Sequence, residues 1–427
     1  MKRHGQLMPA IATFDNVVAA FHLAAAGKRQ TRAVREFAAE FDAGINRLVG
    51  ELITGAWQPG EYERFTVRDP KLRVIHAAPF RDRVAHHALM RVAGPLLERG
   101  ALPHSHACRA GKGNLAAVQH AARCTRRHRF FLKLDIRRYF DSIAHGTLAA
   151  LLRRRFKDGV LLGVLQRLIA SFSTTPGRGL PIGTLTSQYL ANFYLDGLDR
   201  RVVETLRAPG YVRYMDDFIL WHDDATQLAA WREDIQRWLA AERGLEIKHL
   251  ARPLPSSGGV AFLGYRITPR AVLLGRRARR RFRFRLRALE REHDEGRLKS
   301  AALQRRADAL LAFTEAAACH AWRRALLHPT EPSSEPQAPT AWCAAAPGTT
   351  RPGTAAPPSA TGTTRATGTG TSACACPQLT RAADAARLTR SLKSDGSAVR
   401  DSRSPGAGRD ASRHQPNASG DSFFPAP

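Results

Sequence analysis

Two adjacent aspartates, Asp216-Asp217, interrupt an otherwise aromatic and apolar stretch between Tyr211 and Leu220. The β-branched and aromatic residues around them predict a tight hairpin with one strand on each side. Side chains alternate along a strand, so both carboxylates cannot be packed inside. At a hairpin tip, one can point into a cleft while its neighbour supports it. Because acidic groups repel each other, such a pair indicates a divalent cation or a basic partner. The alternative is a solvated turn, like Asp223-Asp224 downstream.

A third carboxylate of this kind lies upstream. The run from Phe130 begins as a hydrophobic strand and delivers Asp135 at its end. A buried, unpaired carboxylate is costly, so packing explains this aspartate poorly. Together with Asp216 it can bind two divalent ions, which lie ~3.5–4 Å apart in two-metal sites.

The charge balance favours a nucleic-acid partner. The 427 residues carry a formal net charge of +29, from 66 Lys plus Arg against 37 Asp plus Glu. Arginine dominates, and guanidinium groups suit phosphate contacts, although a GC-rich genome also raises arginine usage. No run is long and apolar enough to cross a bilayer, and no signal-type core follows Met1. The six cysteines have no paired metal-ligand spacing. A reduced, cytoplasmic protein without membrane contact is the simplest expectation.

Two basic segments are candidates for phosphate contacts. Residues 62–77 predict a strand pair turning at Asp69-Pro70, with Lys71 and Arg73 placed to hold a triphosphate. A solvated basic edge strand is the alternative. The glycine-bearing loop 106–113 carries Arg109 and Lys112 and could follow a phosphate backbone. Its glycine spacing excludes a P-loop.

Further elements follow from periodicity and turn residues. Residues 16–54 have helical apolar spacing, and a helix beginning near Phe80 is expected to end at about Val92, before Gly94-Pro95. A turn at Gly183 feeds a helix from Tyr189 to about Leu206, with Ser187 as its cap; an ordinary capped helix start would look the same. Residues 260–267 predict one strand containing Gly264. Residues 276–327 predict basic helices whose arginines could follow a duplex, or could be merely solvated.

Three separated motifs together resemble the palm of reverse transcriptases. Asp135, Ile182-Gly183 with Ser187-Gln188, and Tyr214-Met-Asp-Asp217 occur in the order and spacing of that family. The similarity covers roughly residues 15–328. Ile-Gly and Ser-Gln replace the more usual Gln-Gly and Ser-Pro, which resembles the enzymes of diversity-generating retroelements. Group II intron and retron enzymes are the nearest relatives by pattern.

The resemblance implies a role for each motif. Asp135, Asp216 and Asp217 would form the catalytic and metal-binding set for two Mg²⁺ ions. The nucleotide-binding residues would be Lys71, Arg73, Phe140, Gly183 and Gln188. Template and primer would contact Arg109, Lys112, Tyr214 and Gly264. The lysine that follows the palm helix in this family corresponds either to Lys248 or to the neighbouring His249.

The implied fold is α+β, a right-hand polymerase with fingers, a palm built on a small antiparallel sheet, and a helical thumb. Its expected parts are an N-terminal helical segment (1–60), fingers and palm (61–275), a basic thumb (276–328) and a disordered tail (329–427). No RNase H, endonuclease or protease segment is recognisable.

The tail is rich in Pro, Ala, Thr, Gly, Ser and Arg, which predicts disorder. Every threonine is encoded by ACN. If the reading frame begins one base earlier and that base is adenine, the codon becomes AAC, which encodes asparagine. Gly348-Thr-Thr350 then reads Asn-Asn, and Thr367 to Thr371 alternates Asn with Arg. This resembles the template repeat of a diversity-generating retroelement. The tail is therefore interpreted as read-through of such DNA, with an ordinary GC-rich disordered tail as the alternative.

The predicted function is RNA-directed DNA synthesis by two-metal nucleotidyl transfer, error-prone at template adenines. Its partners would be an RNA template, a DNA or RNA primer, dNTPs and a small basic accessory protein. One alternative is a group II intron-like or retron-like reverse transcriptase with another role. The other is a non-catalytic RNA-binding protein built on a decayed palm.

Overall fold

The computed structural model describes residues 3–68, 72–249 and 251–327. Lys71 and the tail beyond residue 328 therefore lie outside the described residues. The first helices are α1 (Met8–Ile11), α2 (Phe14–Ala25), α3 (Arg32–Ala39), α4 (Phe41–Thr54), α5 (Phe80–Glu98), α6 (Asn114–Arg127), α7 (Tyr139–Ser142), α8 (His145–Arg155) and α9 (Gly159–Ala170). The later helices are α10 (Leu185–Tyr194), α11 (Asp196–Arg200), α12 (Ala225–Arg243), α13 (Arg276–Asp294), α14 (Ser300–Ala312) and α15 (His320–Leu327). No helix in these ranges is long and apolar enough to cross a membrane.

The strands form three sheets. They are β1 (Glu63–Arg68), β2 (Leu72–Ala77), β3 (Phe130–Asp135), β4 (Gly210–Tyr214), β5 (Asp217–His222), β6 (Leu254–Pro255), β7 (Val260–Phe262), β8 (Tyr265–Ile267) and β9 (Val272–Leu274). β1 pairs with β2, the four-stranded sheet has the order β4-β5-β3-β6, and β7-β8-β9 form the third. Every pair is antiparallel. The predicted α+β class with a small antiparallel sheet is confirmed.

The four-stranded sheet owes its stability to burial on both faces. Leu134 and Phe218 on one face, and Ile219 and Trp221 on the other, are at most 1% exposed. Full burial of such a side chain contributes about 1.5–3 kcal/mol. α12 packs on β3 and β5, and α6 packs on β4. The strand ends that carry the aspartates are therefore held on a rigid support.

The N-terminal helices join the same core. In α4, Ile45, Leu48 and Leu52 recur at helical spacing and are fully buried. The helix ends at Gly55, whose φ of 72° is the left-handed conformation favoured at helix ends. The helical periodicity predicted for residues 16–54 is confirmed, although the structure divides it among α2, α3 and α4.

Four predicted boundaries are wrong. Helix α5 continues through Gly94-Pro95 to Glu98 because it is buried against α2 and α10. Gly94 packs closely on Tyr189, and a Cβ atom at Gly94 would come within 2.8 Å of the tyrosine ring. Tertiary packing outweighs the local cost of the proline. The helix after Gly183 begins at Leu185, and its cap is the Thr184 hydroxyl, which accepts from the backbone N–H of Ser187.

The third error concerns residues 260–267, which form two strands instead of one. β7 and β8 pair around a turn in which Leu263 has a φ of 49° and Gly264 a φ of 89°. Positive φ is easy for glycine, so Gly264 marks the turn of a hairpin. The fourth error concerns the helix predicted to run to about Leu206. It ends at Tyr194 and is followed by α11 and a π-helical turn, Arg201–Thr205.

The described chain divides into two compact units. One runs to Gly275 and includes Ala316–Ala318; the other comprises Arg276–Glu315 and the described residues from Cys319 onward. In the second unit, Phe282 and Leu286 of α13 pack with Ala307 and Leu311 of α14. This small core leaves the arginines of α13 on its surface.

Candidate active site

The Asp216-Asp217 pair lies at a two-residue turn between β4 and β5, as predicted. Tyr214 pairs with Asp217 in the antiparallel register, so Met215 and Asp216 form the turn. Met215 has a φ of 56°, a left-handed conformation that costs a non-glycine residue about 1–2 kcal/mol. Such conformations persist only where the surroundings enforce them, and they concentrate at functional sites.

Asp135 reaches the same end of the sheet from β3. It is the register partner of Asp217, and the backbone N–H of Ile136 donates to the Asp216 carbonyl at 3.3 Å. The structure therefore brings the three predicted aspartates together. The antiparallel pairing of β3 with β5 is the reason, because it places the end of β3 beside the start of β5.

The electrostatics of the cluster are unfavourable for three negative charges. Burial, and after it the negative charge of Asp135, together raise the pKa of Asp216 to about 6. Burial also raises the pKa of Asp217, while Lys133 opposes this rise. A pair of carboxylates that interact in this way favours a shared proton or a bound cation.

Two lysines partly neutralise the cluster. Lys133 Nζ lies 2.9 Å from Asp217 Oδ2 and donates to the Ala261 carbonyl at 2.8 Å. Lys248 Nζ lies 3.2 Å from Asp135 Oδ2, and its backbone N–H donates to the Asp135 carbonyl at 2.8 Å. Of the two basic residues that the sequence left open, Lys248 is the one whose side chain contacts the cluster.

The donor chemistry fits Mg²⁺. In the part of the chain that the structure describes, no three His, Cys, Asp or Glu side chains are arranged to hold a metal ion by themselves. Mg²⁺ at nucleotide-processing sites, however, takes only one or two carboxylates and completes its shell with waters and substrate phosphates. Asp135 and Asp216 supply two interacting carboxylates, and Asp217 Oδ1 is buried without a hydrogen-bond partner among the described residues.

The described nucleotide-binding candidates lie on three segments, which are β2, α7 and the Gly183 turn with the start of α10. Gly183 has a φ of 113°, and a Cβ atom there would come within 2.6 Å of Ile75 Cγ2 on β2. The turn is held to this strand by a 2.9 Å hydrogen bond from the His76 N–H to the Ile182 carbonyl. Phe140 is half-buried, and its carbonyl accepts from Leu180 at 2.9 Å, just before this turn.

The other two described residues of this set are Arg73, which is exposed on β2, and Gln188, which is half-buried on α10. Within residues 3–68, 72–249 and 251–327, neither side chain makes a hydrogen bond or an ion pair that would define its role. Their assignment to nucleotide binding stays a prediction.

The predicted template and primer contacts are more dispersed. The Arg109 guanidinium donates to the carbonyls of Ala101, Leu102 and Ser105, and Lys112 Nζ donates to the Pro103 carbonyl at 3.1 Å. Both side chains therefore brace their own loop, and their contact with nucleic acid stays a prediction.

Tyr214 and Gly264 complete the predicted set. Tyr214 is half-buried beside the turn, and burial raises its pKa to about 12. Gly264 lies at the β7–β8 turn, where its carbonyl accepts from Gly275 at 2.9 Å. Their predicted roles are likewise untested.

Sequence reasoning missed two residues at this site. Lys133 precedes Asp135 by two positions, so strand alternation alone places both on one face of β3. Arg213 is 1% exposed and precedes the turn. A charged residue inside an apolar strand next to the aspartates is the signal that could have indicated it.

The region of the chain that contains the three aspartates is similar to known proteins. Residues 69–267 match the family model described as "Reverse transcriptase (RNA-dependent DNA polymerase)". The chain is similar to Protein YkfC of Escherichia coli (strain K12), with 24% identity over 270 residues that cover 52% of this chain and 70% of that protein. It is also similar to the Group II intron-encoded protein LtrA of Lactococcus lactis subsp. cremoris, with 25% identity over 170 residues, 38% of this chain and 28% of that protein.

Among solved structures, the chain is similar to an apo telomerase from Candida Tropicalis, with a TM-score of 0.41 and 13% identity over 50% of this chain and 54% of that one. The family match itself includes the β3 strand end, the Gly183 turn and the Asp216-Asp217 turn. The predicted enzyme class is confirmed: this chain carries the reverse transcriptase domain of RNA-directed DNA polymerases and has homologues among group II intron-encoded proteins.

Proposed function

We propose that the chain copies an RNA template into DNA by two-metal nucleotidyl transfer at Asp135 and Asp216. The observation that carries this proposal is the meeting of these two carboxylates at one end of a rigid antiparallel sheet, with a raised pKa for Asp216. When bound, Mg²⁺ would activate the primer 3′-hydroxyl and neutralise the leaving pyrophosphate. A primer, an RNA template and dNTPs are the substrates, and a reduced cytoplasm is the proposed setting.

The residues of the chain act around this reaction as binding and orienting groups. Asp135 and Asp216 hold the cations, and Asp217 supports them through its ion pair with Lys133. Lys248 Nζ, beside Asp135, is the proposed proton donor to pyrophosphate. Its 3.2 Å contact with Asp135 supports Lys248 over His249 for this role.

The nucleotide would bind between the β1–β2 hairpin and the Gly183 turn. Arg73, with Lys71, would contact the triphosphate, and Gly183 and Gln188 would contact the templating pair. The backbone bond between His76 and Ile182 supports this arrangement, because it joins the hairpin to that turn. Phe140 would press against the sugar and reject a 2′-hydroxyl.

Helix α13 is the proposed thumb surface for the template and primer. A groove of about 610 Å³ is lined by Phe284 and six arginines, Arg276, Arg279, Arg280, Arg283, Arg287 and Arg291. In the described chain no salt bridge joins any of these arginines to a carboxylate. Unpaired guanidinium groups suit phosphates, and Phe284, which is 69% exposed, can stack on a base.

The biological role that we propose is that of a diversity-generating retroelement enzyme, which miscopies template adenines. The Ile182-Gly183 and Ser187-Gln188 pattern supports this role, as does the shifted-frame reading of the tail. A small basic accessory protein would take part. The similarity to a group II intron-encoded protein favours a second candidate, an intron-like reverse transcriptase with another role.

Sequencing of the DNA product separates the two roles. The full-length chain would extend a primer on an RNA template in Mg²⁺, with and without cognate RNA and accessory protein. Misincorporation concentrated opposite adenine supports the retroelement role. Equal error at all four template bases contradicts it and leaves the intron-like role.

A further inference from the structure

A fully buried ion pair lies beneath the candidate catalytic turn. The Arg213 side chain is 1% exposed and that of Asp199 is 0% exposed. Arg213 donates to both carboxylate oxygens of Asp199, from Nε at 2.7 Å and from Nη2 at 2.6 Å. The Tyr211 hydroxyl donates to Asp199 Oδ1 at 2.7 Å. Burying two charges contributes little net stability compared with apolar packing, so the pair calls for another explanation.

The third nitrogen of the guanidinium is aimed at the turn itself. Arg213 Nη1 donates to the Met215 carbonyl at 3.1 Å. Met215 is the left-handed residue of the turn, and Asp216 follows it directly. Because a left-handed methionine persists only where the surroundings enforce it, this bond fixes the peptide plane from which Asp216 projects.

The same nitrogen connects the turn to the basic loop 106–113. Arg213 Nη1 donates to Asn192 Oδ1 at 3.2 Å, and Asn192 Nδ2 donates to the Ala107 carbonyl at 2.7 Å. The backbone of Arg213 also pairs with the His106 N–H of this loop at 3.0 Å and with the carbonyl of His104, just before the loop, at 2.9 Å. Arg213 is therefore the point at which helix α10, helix α11, the loop and the turn meet.

We propose that Arg213 is a positioning residue for the reaction, which sets the Met215-Asp216 turn from a buried network of Asp199, Tyr211 and Asn192. Asp199 and Tyr211 orient the guanidinium, and Asn192 connects it to the loop. The planar guanidinium of arginine has donors in fixed directions and can hydrogen-bond to Asp199, Asn192 and Met215 at once. The single ammonium of lysine cannot donate to all three in the same directions. The inference rests on the proposed role of Asp216.

The test is steady-state primer extension by the full-length Arg213→Lys variant at saturating primer and template. The variant keeps the charge but loses the fork. We expect kcat to fall about 10- to 100-fold, as for a catalytic group displaced by about 1 Å, with the KM for dNTP unchanged. The Mg²⁺ concentration for half-maximal rate should rise, because Asp216 no longer holds its position. A merely structural role would not move this midpoint.

The matched control is Arg201→Lys. Arg201 also forms a bidentate pair, with Asp234 at 2.9 and 2.6 Å, but it is 32% exposed and does not contact the turn. Its kcat and Mg²⁺ midpoint should equal those of the wild type. If Arg213→Lys behaves like this control below its melting temperature, the proposal is overturned.

Two milder variants keep the proposal testable if Arg213→Lys does not fold. Tyr211→Phe removes one bond to Asp199, and Asn192→Ala removes the link to the loop. Each should lower kcat several-fold and raise the Mg²⁺ midpoint; wild-type values in both would overturn the proposal. The wild type and Asp216→Asn are assayed alongside. Equal rates in those two would instead refute the proposed function.

Discussion

Replacing Asp216 by asparagine should stabilise the folded protein while removing its activity. The ordinary pKa of an aspartate near 3.8 is raised to about 6 at Asp216, first by burial and then by Asp135. A raised pKa means that the folded state binds the proton more tightly than the unfolded state. The stability that the neutral carboxyl gives is fully present below pH 3.8 and is lost as pH rises through about 6. Asparagine is neutral at every pH and therefore avoids this loss.

The expected gain in stability follows from the two pKa values, 3.8 in the unfolded state and about 6 in the folded state. A tenfold change in proton affinity corresponds to about 1.4 kcal/mol, so ionised Asp216 costs up to about 3 kcal/mol at pH 7.5. At pH 5 the cost falls to about half of that. This is a large part of the free energy of unfolding of a typical domain, about 5–15 kcal/mol.

The assay is urea denaturation of the wild type and Asp216→Asn in EDTA at pH 5 and pH 7.5. Asp224→Asn is the control, because Asp224 caps α12 from an exposed position and asparagine caps helices equally well. The control should change stability little at either pH. The reasoning is refuted if Asp216→Asn gains no stability at pH 7.5, or if its gain is the same at pH 5.

Three other substitutions, two of them with a matched control substitution, test further parts of the structure. Gly183→Ala should lower the free energy of unfolding by about 2–4 kcal/mol, because Gly183 has a positive φ and a Cβ atom there would be overpacked. Thermal denaturation measures this change. The control is Gly146→Ala in α8, where there is open space, and it should be neutral or stabilising. Phe284→Ala should weaken single-stranded RNA binding about tenfold in fluorescence anisotropy with an unchanged Tm, whereas Phe282→Ala should destabilise the protein by about 3–5 kcal/mol because Phe282 is buried. Arg287→Ala should reduce the slope of log affinity against log salt by about 0.7–0.9. Unchanged RNA affinity in Phe284→Ala, or an unchanged slope in Arg287→Ala, would remove the α13 groove from the proposed binding surface.

Local sequence patterns predicted the positions of the three aspartates of the site. The hairpin at Asp216-Asp217 and the strand ending at Asp135 depend on alternation and turn residues within about ten positions, and both are present. The sequence leaves Lys248 and His249 as alternatives for the basic residue that follows the palm helix, and only the fold places Lys248 beside Asp135. Asp199 and Arg213 are 14 positions apart, and their pairing depends on how the fold brings α11 to β4. No spacing rule reports such a contact.

Two of the errors in element boundaries have different origins. Gly94-Pro95 breaks an isolated helix, but α5 is held by its neighbours on two sides. Residues 260–267 alternate like a single strand, yet the left-handed Leu263-Gly264 turn folds them into two. In α5, packing that is distant in sequence outweighs the local preference, whereas at residues 260–267 the cause is the local turn at Gly264.

The central claim is that Asp135 and Asp216 together hold the cations for DNA synthesis. Primer extension on an RNA template, measured against Mg²⁺ concentration, tests it most directly with the full-length wild type, Asp135→Asn, Asp216→Asn and the Asp224→Asn control. We expect Mg²⁺-dependent synthesis by the wild type and the control. Either site variant should fall to about one-hundredth of that rate or less. Synthesis by a site variant at the wild-type rate and the wild-type Mg²⁺ midpoint would contradict the claim.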